Sequence, residues 1–63
     1  MPKETFFNLP EEKRRVIQDA ALEEFADQGY EGGSINRIVA AAGIAKGSFY
    51  QYFEDKADLF KQI

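Results

Sequence analysis

The stretch AAGIAKGSFYQYFEDKADLF, residues 41–60, decides how this chain folds. Near its start, Ala42-Gly43-Ile44 reads as a tight turn. Gly43 can take the positive φ that a sharp reversal needs, Ile44 plugs the space between two helices, and Ala42 lets their backbones approach. After the turn a helix is predicted over about 45–53. A 100° wheel places Ala45, Phe49, Tyr52 and Phe53 on one face, with Gly47 and Gln51 centred opposite and Ser48 and Tyr50 flanking them. Before the turn, Ser34 is a natural N-cap for a helix over 34–42. Ile35, Ile38, Val39 and Ala42 form its apolar stripe, and Asn36, Arg37 and Ala40 face outward. Two short helices joined by a glycine-bearing turn, with apolar stripes facing each other, make a helix-turn-helix. On pattern alone, a small helical bundle that never meets DNA satisfies the same description.

Upstream, Asn8-Leu9-Pro10-Glu11 signals a helix start near residue 9: an Asx side chain to accept free N–H groups, a proline in the first turn, and Glu11 at capping-box spacing. Ile17, Ala21 and Phe25 then recur at i, i+4 and i+8, flanked by Val16, Ala20 and Leu22, while Asp19, Glu23 and Asp27 gather on the other side. This first helix is predicted over about 9–28, stopped by Gly29, with Tyr30-Glu31-Gly32-Gly33 as a connecting loop. Residues 1–8 form a short N-terminal arm whose Phe6 and Phe7 pack on the bundle or on a partner. Downstream, Glu54 and Asp55 open a fourth helix over 56–63, whose apolar positions Leu59, Phe60 and Ile63 are still repeating at residue 63. The expected domain is therefore residues 9–55, all-α, a three-helix bundle with the start of a fourth helix.

Composition narrows the function. The chain of 63 residues holds neither cysteine nor histidine. That removes disulfides, thiol chemistry and the usual zinc ligand sets, so no metal and no cofactor is expected. The hydroxyls have no basic partner suited to activate them, and the carboxylates lie mostly on one solvated helix, so catalysis is not expected. No apolar run approaches the roughly 20 residues that span a bilayer, which makes no membrane partner and a cytoplasmic location the default. The net charge of −3 argues against a phosphate-binding surface. Its distribution argues the other way. No acid occurs from Gly32 through Phe53, a window that contains Arg37 and Lys46 and stops just short of Lys56, while the negative charge lies elsewhere, chiefly on Glu11, Glu12, Asp19, Glu23, Glu24, Asp27 and Glu31.

From about Leu9 through Ile63 the chain resembles the TetR family of transcriptional regulators. The resemblance rests on the 41–60 stretch, on the first-helix ending Ala-Leu-Glu-Glu-Phe-Ala-Asp-Gln-Gly-Tyr (21–30), on the hydroxyl residue Ser34, and on Lys-Gly-Ser-Phe-Tyr at 46–50. Val39 departs from it, since members commonly carry a small alanine there, which implies a slightly wider spacing of the two helices. The resemblance implies a homeodomain-like head that binds double-stranded DNA at a palindromic operator. The 45–53 helix would lie in the major groove, with helix two and the start of helix four gripping phosphates on either side. It also implies a homodimer, and a small-molecule effector that releases a repressor, both through a ligand-binding and dimerisation domain expected C-terminal to residue 63. A 63-residue head alone is then expected to fold marginally, because a domain of that size buries only about 60% of its unfolded surface, and to bind a half-site weakly as a monomer.

Under that implication Gly47 allows close approach to a base edge or thymine methyl, and Gln51 carries an amide able to pair with adenine N6 and N7. Lys46 and Ser48 lie where bases or phosphates come near the helix start. Tyr50 offers an outward ring and hydroxyl to a phosphate or a thymine methyl. Tyr52 sits at the edge of the apolar face, mostly core, with its hydroxyl toward a phosphate. Ser34, Arg37 and Lys56 are phosphate candidates on the flanks. Apart from the resemblance, Gln51 reads first as a solvated surface residue, Lys46 and Ser48 are equally compatible with mere solvation, and the plain alternatives for Ser34 and Lys56 are a simple N-cap and a surface lysine. The competing function is a protein-interaction module docking through Phe6, Phe7, Leu59, Phe60 and Ile63.

Overall fold

The computed structural model describes residues 3–63, and among them only helices and their connections occur: α1 (Glu4–Phe7), α2 (Glu11–Gly32), α3 (Ile35–Ala42), α4 (Lys46–Tyr52) and α5 (Lys56–Phe60). The core is built where the helical stripes converge. Ile17, Ala21 and Phe25 of α2 meet Ile38 and Val39 of α3, Phe49 of α4, Phe53 just after it, Leu59 of α5 and Phe6 of α1. Leu9, Ile35, Ala42, Ile44 and Tyr52 pack on its margin. The stripes predicted for helices two and three are thus the buried faces of α3 and α4, although Ala45 is exposed at the start of α4.

The turn between α3 and α4 has its geometry from one glycine. Gly43 sits at φ 73°, ψ 30°, its N–H reaches Ala40 O at 3.3 Å, and the next N–H, of Ile44, reaches Val39 O at 3.0 Å. This pair of backward bonds, a Schellman closure, satisfies carbonyls that a helix end otherwise leaves unpaired. Ile44 then drops onto the core and the chain re-enters a helix at Lys46.

Three expectations are corrected at the N-terminal half. The arm predicted over 1–8 contains a helical turn, Glu4–Phe7, and Phe6 is 1% exposed while Phe7 is 49% exposed; Met1 and Pro2 lie outside the described residues. The predicted Asn8 cap and Glu11 capping box do not form: Asn8 closes the end of α1, Pro10 stands at the N-cap of α2, and no side chain caps that end. Arg14 secures the junction instead, its Nη1 donating to Phe7 O at 2.9 Å and Leu9 O at 3.1 Å. Gly29 does break the first helix (φ 73°, ψ 169°), but the predicted loop after it is helical again through Gly32. The aromatic rings explain that extra turn. Tyr30 stacks near Phe25 at 5.8 Å and meets Phe60 edge-on at 5.0 Å, so coiling the chain here buries ring surface.

The start of α5 carries a capping arrangement made of two acids. Asp55 Oδ1 accepts from Asp58 N at 2.8 Å, and Asp58 Oδ2 accepts from Glu54 N at 3.1 Å. Asp58 is buried, which by itself raises its pKa, yet the hydrogen bonds it accepts and the charge of Lys61 hold it below the ordinary value. Of the five residues proposed for a protein-docking surface, Phe6 and Leu59 are core, leaving Phe7, Phe60 and Ile63 exposed. No helix among the described residues is long and apolar enough to cross a membrane.

Candidate nucleic-acid interface

Eight of the nine candidate residues fall into two groups in space, and Tyr52 stands apart from both. Lys46, Gly47, Ser48, Tyr50 and Gln51 belong to α4, and all but the half-buried Ser48 are exposed. With Phe49 and Phe53 turned inward and fully buried, helical geometry leaves Gly47 and Gln51 outermost, and an added Cβ at Gly47 would meet nothing within 4 Å. Tyr50 stands edge-on to Phe49 at 5.1 Å and remains 41% exposed, so its ring is supported from behind and open in front. Lys46 is exposed, and its ammonium makes no hydrogen bond with the described residues. Tyr52 belongs with the core rather than with this surface. Its half-buried ring lies against Phe6 and lines a groove of about 200 Å³ with Leu9, Val16, Ile17 and Ile44.

Ser34, Arg37 and Lys56 gather around the α2–α3 junction, where all three make internal contacts. Ser34 caps α3 by accepting from Arg37 N at 3.3 Å, and its own N–H donates to Glu24 Oε2 at 3.0 Å. Arg37 Nε meets that same carboxylate oxygen at 2.8 Å and its Nη2 donates to Gly32 O at 3.3 Å. Lys56 Nζ lies 4.7 Å from the Tyr30 ring centroid and donates to Glu31 O and Gly33 O, each at 3.3 Å. Both cations are therefore fasteners of the fold, and removing either loosens α2 against α3 or α5.

Glu24 is the residue that sequence reasoning passed over here, grouped with the acids of a solvated face. Its signal was spacing: it lies one position before Phe25, so a helix that buries Phe25 brings Glu24 to the edge of α3. The Ser34 N–H holds its carboxyl below the ordinary value of 4.5, burial opposes this, and the Arg37 guanidinium reinforces it. Because the folded pKa is depressed, the stabilisation is complete above the unfolded value and is lost as pH falls through the folded one. Glu24→Gln is accordingly expected to lower the thermal midpoint at neutral pH and to flatten its decline below about pH 4.5. Parallel wild-type and variant midpoints across that range would contradict this.

An exposed, acid-free helix face carried on a Schellman turn and backed by a shared core is the construction of a helix-turn-helix head. The matches to other proteins agree. Residues 17–63 match the family described as "Bacterial regulatory proteins, tetR family", and the chain belongs to that family. It is 43% identical over 53 residues to the HTH-type transcriptional regulator AcrR of Shigella flexneri, which covers 84% of this chain and 25% of that protein. The HTH-type transcriptional repressor AcnR of Corynebacterium glutamicum is 37% identical over 51 residues, covering 81% of this chain and 27% of its own length. A crystal structure of a TetR family transcriptional regulator from Chloroflexus aurantiacus J-10-fl superposes with a TM-score of 0.90 at 63% identity, over 98% of this chain and 29% of that one. The chain thus spans about a quarter of the length of the relatives it matches.

Proposed function

We propose that this chain is the sequence-reading head of a transcriptional regulator that binds double-stranded DNA by laying α4 in the major groove. The observation that carries the reading is the outer face of α4: Lys46, Gly47, Tyr50 and Gln51 exposed together, with no acid between Gly32 and Phe53. In this arrangement Gln51 reads a base edge, Gly47 admits the helix to contact distance, Tyr50 meets a thymine methyl or a phosphate, and Lys46 and Ser48 hold the backbone. Ser34, Arg37 and Lys56 act on the flanks chiefly by fixing α3 and α5, with phosphate contact secondary to that. Tyr52 is assigned to packing, its hydroxyl the only part left for a phosphate. The larger protein, on this reading, is a cytoplasmic homodimer on a palindromic operator. It represses transcription until a small molecule binds outside this head, and it performs no catalysis.

Random-sequence selection with the protein tests the reading, since it requires that a discrete duplex be enriched. On that duplex Gln51→Ala is expected to lose about 1–3 kcal/mol at one base position and to relax preference there. Lys46→Ala should instead weaken selected and scrambled duplexes alike, and reduce the slope of log affinity against log salt by about one. Enrichment of nothing, or binding indifferent to salt, would remove the proposal in favour of a protein partner.

A further inference from the structure

A helix of seven residues does not hold its own ends, and α4 has to present Tyr50 and Gln51 at fixed positions if it is to discriminate bases. Its start is held by the Gly43 turn. Its last carbonyls would be unpaired by helix geometry alone, and all three find partners from one distant segment. Lys3 Nζ donates to Tyr50 O at 2.7 Å, Thr5 Oγ1 donates to Gln51 O, and the main-chain N–H of Lys3 donates to Tyr52 O at 2.8 Å. Behind this contact Phe6 is wedged against Phe53 at 4.8 Å, and α1 is tied back to α2 by Arg14. The ammonium of Lys3 also sits at the end of α4 where the aligned peptide dipoles favour a cation. The N-terminal partners Lys3, Thr5, Phe6 and Arg14 all precede the family match, which begins at residue 17.

We infer that Lys3 and Thr5 are positioning residues for base reading: they grip the carbonyl end of α4 and so fix its tilt and register in the groove. The inference rests on the DNA-binding function proposed above. It differs from a plain phosphate role in that Lys3 Nζ and the uncharged hydroxyl of Thr5 both donate to carbonyls of α4, so the clamp does not depend on charge alone. The sequence of this segment therefore sets how sharply Gln51 and Tyr50 discriminate, without itself touching a base.

The test uses the intact protein, the duplex recovered from selection with the wild type, and a scrambled duplex of the same composition. Lys3→Met with Thr5→Val removes two of the three donors. Lys3→Pro removes both donors of that residue at a backbone φ of −75° that proline adopts without strain. Each variant is expected to cut the ratio of selected to scrambled affinity by about tenfold, the scale of one misplaced base contact. Lys3→Arg should restore the ratio to within about twofold, since a guanidinium can still reach the Tyr50 carbonyl. Amide exchange at Tyr52 and Phe53 should quicken while exchange in the middle of α2 stays unchanged. If the multiple variants lose protection throughout, Thr5→Val alone, a single exposed hydroxyl, carries the comparison at a smaller but measurable loss of ratio. An unchanged ratio in folded variants overturns the clamp and leaves DNA binding standing. Equal losses on both duplexes also overturn it and make Lys3 a phosphate cation. Failure of the wild type to enrich any duplex removes the DNA-binding function itself and the clamp with it.

Discussion

Replacing Phe6 with Ala is expected to leave the 63-residue chain at the edge of unfolding at 25 °C. Truncating a buried phenylalanine removes about 3–5 kcal/mol, part from lost transfer of the ring and part from the cavity left behind. A chain of this length has roughly 3–9 kcal/mol in total, at about 0.05–0.15 kcal/mol per residue. The Phe6 ring is 1% exposed and touches rings on three sides: Phe53 at 4.8 Å, Phe7 at 5.4 Å and Tyr52 at 6.5 Å. It closes the bottom of the core beneath α4, so no neighbour can fill its place by a rotamer change alone. Urea unfolding measures the loss as a lower midpoint. Phe7→Ala, at a side chain half in solvent, serves as the comparison and should shift stability by less than about 1 kcal/mol. Equal midpoints for the two variants would show that the N-terminal turn is not integral to the domain.

Gly33→Ala should be the most damaging single-methyl change, at about 1–3 kcal/mol, the usual penalty for overpacking. The backbone at Gly33 (φ −65°, ψ 136°) suits any residue, so strain is not the reason. A Cβ there would lie 2.5 Å from Phe25 Cε1 and 2.6 Å from Cδ1. The Phe25 ring cannot retreat freely, because it is stacked near Tyr30 and held edge-on by Phe60 at 5.2 Å, 84°. Gly33 O also anchors Lys56, and Gly32 O anchors Arg37, so a displaced strand of chain disturbs both cations. The midpoint should fall by roughly 4–8 °C for each kcal/mol lost in a domain this small. Gly32→Ala is the control, its Cβ meeting only Gln28 Cβ at an ordinary 3.4 Å. A wild-type midpoint for Gly33→Ala would mean that the aromatic cluster of Phe25, Tyr30 and Phe60 is looser than its geometry implies.

The same cluster bears on how the flanks of the interface act. Lys56 lies over Tyr30 and binds carbonyls at the end of α2, and Arg37 is paired with a Glu24 side chain only 12% exposed. A loss of DNA affinity in Lys56→Ala or Arg37→Ala would therefore mix lost phosphate contact with a shifted α3 or α5. Lys46 separates the two effects, because its removal leaves every described hydrogen bond intact.

Legible from the amino-acid order was whatever depends on neighbours along the chain. The 3.6-residue recurrence of Ile17, Ala21 and Phe25, the Ser34 cap, the stripe through Ile38 and Val39, and the Gly43 turn are all local. So is the division of α4 into an inner face with Phe49 and Phe53 and an outer one with Gly47 and Gln51. Each follows from propensity, capping and helical periodicity, which act over a few residues. It took the assembled fold to make Phe6 core rather than arm, to coil Tyr30–Gly32 rather than loop it, and to bring Arg37 and Lys56 to Glu24 and to backbone carbonyls. That fold alone brought Lys3 and Thr5 to the last carbonyls of α4, 46 to 49 positions along the chain from their donors. The physical reason is common to all of these. Which ring fills a gap, and which donor reaches an orphan carbonyl, depends on where separate helices cross, and that is set by the packing of the whole core rather than by any window of sequence.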